Sequence, residues 1–240
     1  VGKTVLLDRI RESAESLDVC TRRVEAPENR SLPAILAPQL RTVLLRLSTR
    51  ARAADLSVRA LRALAGFARA MRVKYDDIEV GMDFPPERGL ADNGDLEHDL
   101  PSLFEAVGEA AKSDETALAI FIDELRYVHE AQLAALITAL HRTSQRDLPV
   151  VLFGAGLPQL RGRMGKAKSY AERLFDFVSV GQLREEAARL ALSLPAGREK
   201  VAVADGALDA IVAETQCYPY FIQEWGKHAW DVASTSPITA

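Results

Sequence analysis

Three Gly-Lys pairs occur in the chain, and only the first, Gly2-Lys3, is followed by a hydroxyl residue, Thr4. Residues 5–17 carry Val5, Leu6, Ile10 and Leu17 among Asp, Arg and Glu, a pattern that predicts a helix directly after Thr4. The mouth of a helix favours an anion through its N–H groups and its dipole. A lysine at that place reaches the β- and γ-phosphates of a nucleotide, and a threonine hydroxyl holds Mg2+. The full phosphate-loop pattern, G-x-x-x-x-G-K-[ST], needs its first glycine four residues before Val1 and a feeding strand before that, so the chain reads as entering at the end of such a loop. So short a remnant also arises by chance and needs a second element to carry weight.

That second element is a pair of carboxylates. Residues 117–122 are a short continuous apolar run, the mark of an interior parallel strand covered on both faces, and it ends at once in Asp123 and Glu124. Open parallel sheets take their ligands at the carboxyl ends of their strands. Asp123 there would hold the Mg2+ that bridges the phosphates, and Glu124 would orient or deprotonate an attacking water. Alone, acidic strand ends have a simpler reading, the return of the chain to solvent. Together with Lys3 and Thr4 they supply the cradle, the cation site and the base that phosphoryl transfer requires around one phosphate.

The elements that must position these residues follow from periodicity. A strand is predicted over 19–24, and a helix over 31–47 with Ser31 as N-cap and a kink at Pro38. A second helix over 52–72 segregates Leu56, Ala60, Leu64, Phe67 and Met71 from Arg52, Arg59, Arg62, Arg69 and Arg72. A strand over 77–84, a Pro/Gly-rich loop over 85–94 and a helix over 96–112 lead to the acidic strand. A helix over 130–143, a buried strand over 149–153 and a last strand over 175–180 complete an alternation of strand and helix, which implies a doubly wound parallel sheet. After Gln182 the pattern turns to helices over 184–194, 207–215 and 220–232, and a domain boundary is expected near Gly181.

Composition bounds the rest. With 48% hydrophobic and 27% charged residues, the chain has the balance of a folded globular domain, and no apolar run reaches the length that crosses a bilayer. Cys20 and Cys217 lie far apart without a CxxC or Cys/His cluster, which speaks against a disulfide framework or a zinc site and for the cytoplasm. The histidines, His98, His129, His141 and His228, have no HExxH spacing and no GxSxG partner, so metalloprotease and serine-hydrolase chemistry find no support; surface or capping roles are expected. The net charge of −4 conceals a basic front, 15 basic against 7 acidic residues over 1–74, and an acidic middle, 3 against 16 over 75–130. The arginine-rich helix 52–72 and the cluster 161–168, read as a loop, invite a nucleic-acid contact. The competing reading is that arginine, 23 residues against 7 lysines, is the default solvated cation here and that the acidic segment faces the basic helix.

On these residues the chain resembles the P-loop ATPases of the AAA+ and STAND group, and most closely the bacterial and archaeal AAA family ATPases related to origin-recognition ATPases. Gly2-Lys3-Thr4 matches the tail of their Walker A motif, residues 120–124 their Walker B motif, 150–158 their sensor 1 strand, and 217–230 their lid. The resemblance implies an α/β fold: a parallel-sheet P-loop NTPase core over 1–181, its first strand missing from the chain, followed by a small α-helical lid domain over 182–240. It implies ATP binding and slow Mg2+-dependent hydrolysis to ADP and phosphate, used to switch a neighbouring module. It further implies a DNA-binding winged helix beyond Ala240, and a homo-oligomer in which Arg173 serves as an arginine finger. Pro219 corresponds to the lid proline that touches the nucleotide. From the residues alone, Arg173 reads as a solvent arginine and Pro219 equally as the first residue of a helix.

Two departures stand out. Where the family carries a polar sensor 1 residue, this chain has Gly154, Ala155 and Gly156, and Cys217 replaces the glycine of the lid's Gly-x-Pro. They favour either a very slow enzyme or a nucleotide-binding scaffold without turnover that acts through protein or nucleic-acid contacts. A third reading takes the Gly-Lys-Thr as accidental and the chain as a non-nucleotide α/β binding protein. GTPase and ABC classes fit worse, since Asp123-Glu124-Leu125-Arg126 is not DxxG, no NKxD follows and LSGGQ is absent.

Overall fold

In the computed structural model, which describes residues 2–26, 29–73 and 84–239, the alternating patterns fold into a three-stranded parallel sheet with helices on both faces. The chain divides into two compact units, Leu6–Phe177 and a smaller one that joins Val1–Val5 to Val178–Ala240. The helix α1 (Gly2–Glu15) begins in the smaller unit and continues into the larger.

In the larger unit α1 leads to β1 (Cys20–Glu25), α2 (Leu32–Ser48), α3 (Ala54–Ala70) and α4 (Leu96–Ser113). Then come β2 (Leu118–Asp123), a single 3-10 turn (Leu125–Tyr127), α5 (Glu130–Gln145), β3 (Val150–Gly154), α6 (Leu160–Ala167) and the short α7 (Ala171–Leu174). The sheet order is β1-β2-β3, with Cys20 opposite Leu118, Glu25 opposite Asp123 and Ile122 opposite Gly154. β2 is central and buried along its whole length. Its alternation sorts side chains between two cores. Leu118, Ile120 and Ile122 join Cys20, Val24 and the apolar faces of α2 to α5, whereas Ala119 and Phe121 join Phe153, Leu7 and Ile10. Phe121 and Phe153 stack at 4.8 Å between ring centroids. Each large side chain so enclosed contributes about 2 kcal/mol.

Local signals account for most of the helix ends. Ser31 caps α2, its hydroxyl accepting from the Ala34 N–H, and α2 runs through Pro38 without interruption. Asp95 caps α4 by accepting from the Glu97 N–H. Gly108 lets α4 approach β3, since a Cβ there would lie 3.1 Å from Val150 Cγ2.

Two expectations change. Residues 175–180 form no strand; Phe175 and Phe177 are held by packing against the helical core and against each other, and Val178 is exposed. The basic cluster at 161–168 is largely the helix α6 and not a loop, because Leu160 and Met164, one turn apart, anchor it to that core. The strand expected over 77–84 lies outside the described residues except for Phe84.

The acidic middle is neutralised by arginines on several elements: Arg50 meets Asp114 at 2.6 Å, Arg52 meets Glu115, Arg59 meets Glu87, and Arg146 meets Glu105 and Glu109. The charge asymmetry of the sequence is thus in good part internal to this unit. The Asp114 carboxylate raises the Arg50 guanidinium above its ordinary value by hydrogen bonding.

In the smaller unit α8 (Glu185–Arg198), α9 (Asp205–Thr215) and α10 (Pro219–Val232) enclose a core of Ala188, Leu192, Leu208, Ile211, Val212 and Ile222. Pro219 occupies the first turn of α10, where its missing N–H costs nothing. Gly226 permits the close approach of α8, a Cβ there lying 2.7 Å from Leu192 Cδ2. No helix among the described residues is long and apolar enough to cross a membrane.

Candidate functional site

The carboxylate end of the site is set by β2. Asp123 is its last residue, 6% exposed, and by strand alternation it shares the sheet face of Ala119 and Phe121, the face on which α1 packs through Leu7 and Ile10. One carboxylate oxygen accepts the Glu124 N–H at 2.9 Å. Glu124 itself turns the chain in the left-handed region, φ 54° and ψ 40°, a conformation that costs a non-glycine residue about 1 kcal/mol. The 3-10 turn that follows is tied to β3, with the Leu125 N–H donating to Ala155 and the Ala155 N–H donating to Ile122.

Glu124 is half-buried and ion-paired, its Oε2 lying 2.9 Å from Arg126 Nε. The Arg126 guanidinium also lies over the Tyr127 ring and donates to its hydroxyl at 2.6 Å. From α6, Arg163 donates to the carbonyls of Arg126 and Val128 and so braces the turn that carries Glu124. Neither Arg126 nor Arg163 is a residue that sequence reasoning selected. The signal was weak: Arg163 lies in a cluster read as a loop, and the contact spans 37 positions.

The apolar stretch after β3 has a steric cause. A Cβ at Gly154 would lie 2.3 Å from Leu125 Cδ1, and one at Gly156 would lie 2.8 Å from Leu160 Cδ2. Side chains capable of polar contact have no room at either position in this packing.

The other candidate residues lie in the smaller unit. Gly2, Lys3 and Thr4 form the first turn of α1, all three partly exposed, and no acidic residue stands in that turn to compete for an anion. Lys3 makes no ion pair among the described residues. A Cβ on Gly2 would meet Pro219 Cγ at 4.0 Å and Val180 Cγ1 at 3.7 Å, so the proline at the start of α10 and the first turn of α1 are neighbours within that unit. Arg173 lies on α7, exposed, and forms no ion pair among the described residues.

Among the described residues no cluster of three or more His, Cys, Asp or Glu side chains could hold a metal ion. Mg2+ is a hard cation that keeps several waters and substrate phosphates and needs only one or two protein oxygens; the Asp123 carboxylate of the larger unit and the Thr4 hydroxyl of the smaller are each of the type it takes. Compared with known proteins, the chain matches no family model, no curated protein and no solved structure.

Proposed function

We propose that this chain is an ATP-binding, Mg2+-dependent switch of the AAA+/STAND kind that hydrolyses ATP slowly in the cytoplasm. The observation that carries the reading is the pair Asp123–Glu124 at the carboxyl end of a fully buried central parallel strand, together with Gly2-Lys3-Thr4 in the first turn of α1. The neighbouring Pro219 supports a lid that touches the nucleotide.

In this mechanism Lys3 and the first turn of α1 bind the phosphates, and Thr4 and Asp123 hold Mg2+. Bound MgATP supplies the transferable phosphoryl group and a metal that offsets its charge. Glu124 orients the attacking water and takes its proton at a carboxylate oxygen. The ion pair to Arg126 competes with that role, since the guanidinium occupies the carboxylate oxygen that a water would approach. Slow turnover follows from this competition. Exposed Arg173 is the candidate to act in trans in a homo-oligomer, and DNA binding belongs to a neighbouring module.

A scaffold that binds nucleotide without turnover is the second reading, favoured by the side-chain-free end of β3 at Gly154 and Gly156. The two are separated by measuring ATP binding and hydrolysis on the intact protein. For the switch, Lys3→Ala abolishes binding, Glu124→Gln keeps binding and lowers turnover by about 100-fold or more, and Arg126→Ala raises turnover. Binding that Lys3→Ala removes, with no turnover in the unaltered protein, establishes the scaffold. Absence of binding overturns both.

A further inference from the structure

The turn that carries Glu124 is pinned at two residues and open at three. Leu125 and Val128 are buried, whereas Glu124, Arg126 and Tyr127 keep part of their surface in water. Three contacts fix Arg126 beside Glu124. Its Nε lies 2.9 Å from Glu124 Oε2, its guanidinium stands 4.5 Å from the centroid of the Tyr127 ring, and it donates to the Tyr127 hydroxyl at 2.6 Å. An exposed arginine ordinarily loses rotamer freedom when it holds a single partner, which leaves such pairs weak. Here the aromatic face and the hydroxyl order the guanidinium, so the pair to Glu124 forms from a side chain already in place.

A fourth contact comes from another helix. Arg163 on α6 donates to the Arg126 carbonyl and, at 2.6 Å, to the Val128 carbonyl. These two carbonyls bracket Tyr127, so α6 sets the backbone that presents both the ring and Arg126. Leu160 and Met164 seat α6 on the helical core, and Arg161 joins it to Glu172 on α7. The opposite state needs no repacking. The Arg126 side chain is 40% exposed, and turning it into water uncovers the Glu124 carboxylate while Leu125 and Val128 stay buried. Glu124 itself stands in the left-handed region, φ 54°, which residues with a side chain seldom adopt and which concentrates at switch and active sites.

We infer that Arg126, Tyr127 and Arg163 form an autoinhibitory latch on Glu124, set by α6 and opened when Arg126 turns outward; this rests on the reading of Glu124 as the base. The test is a variant cycle on MgATP turnover by the intact protein, with Glu124→Gln as the measure of background. Arg126→Ala is expected to raise kcat about fivefold, the weight of a half-exposed ion pair, and Arg163→Ala and Tyr127→Leu about twofold each, all at unchanged KM. Because the three act on one equilibrium, Arg163→Ala and Tyr127→Leu add nothing in the Arg126→Ala background. Arg163→Lys, which keeps a donor for one carbonyl, returns kcat toward that of the unaltered protein. A residue that merely braces the fold behaves differently: Arg163→Ala then lowers kcat, by the same factor with or without Arg126. That result, additive rises, or no rise in any of the three overturns the latch, and turnover that Glu124→Gln still removes leaves the ATPase reading in place. Turnover that Glu124→Gln does not lower, or none in any variant, overturns the reading and the latch together. If Arg163→Ala does not fold, Tyr127→Leu carries the same comparison.

Discussion

The two units treat apolar side chains in opposite ways. In the larger one Phe67, Phe104 and Phe121 are fully enclosed, and helices cover both faces of the sheet. In the smaller one Tyr218, Tyr220, Phe221, Trp225 and Trp230 remain 43–49% exposed, and Leu190 and Leu194 stand out further. Both are rich in apolar residues, so composition is not the cause. A buried parallel strand gives every side chain an enclosed neighbour, whereas three short helices surround too little volume to hide what they carry. The larger unit encloses its aromatic side chains within its own elements, and the smaller one carries them at its surface.

Replacing one aromatic in each unit gives the largest contrast. Phe121→Ala removes a ring from between β2, Phe153 and α1, and is expected to cost about 3–5 kcal/mol in urea unfolding. Phe221→Ala, half exposed on α10, should stay within about 0.5 kcal/mol. Equal losses would break the contrast. Next in size is Gly154→Ser, which forces Leu125 aside and should cost about 1–3 kcal/mol, with part of the loss recovered in a Gly154→Ser, Leu125→Ala double variant. Lack of recovery would locate the strain elsewhere.

The smallest effect is electrostatic. The Thr21 hydroxyl on β1 donates to the Glu15 carboxylate at the end of α1, and this bond, helped by Arg11, holds Glu15 below its ordinary value of 4.5. A depressed carboxylate stabilises the fold above its unfolded pKa, and that contribution disappears as pH falls through the folded value. Thr21→Val should therefore lower stability at pH 7 by a few tenths of a kcal/mol, about the size of an exposed pair, and by less at pH 3. Equal losses at both values would mean that the methyl packing of Thr21, not its hydroxyl, joins β1 to α1.

Much of this architecture was legible in the residue pattern. The run at 117–122, the Ser31 cap and the apolar stripe of 130–143 each report a local rule, strand burial or helical period, which does not depend on the rest of the chain. The stretch 175–180 misled because its aromatic residues Phe175 and Phe177 pack against the helical core and each other instead of along an edge of the sheet. The cluster 161–168 misled because glycines and charges look like a loop until Leu160 and Met164 find a surface to hold them.

At the site the same division holds. The phosphate chemistry proposed for Lys3, Thr4, Asp123 and Glu124 was read from type and spacing alone, since helix mouths and strand ends are local features. Only the tertiary structure decided that Glu124 is paired with Arg126, that Arg163 braces its turn from another helix, and that Leu125 fills the space beside Gly154 where a polar side chain would have stood. The last two are contacts between segments far apart in the chain. A sequence states which groups are available, but which of them meet depends on the packing of elements whose approach no single segment encodes.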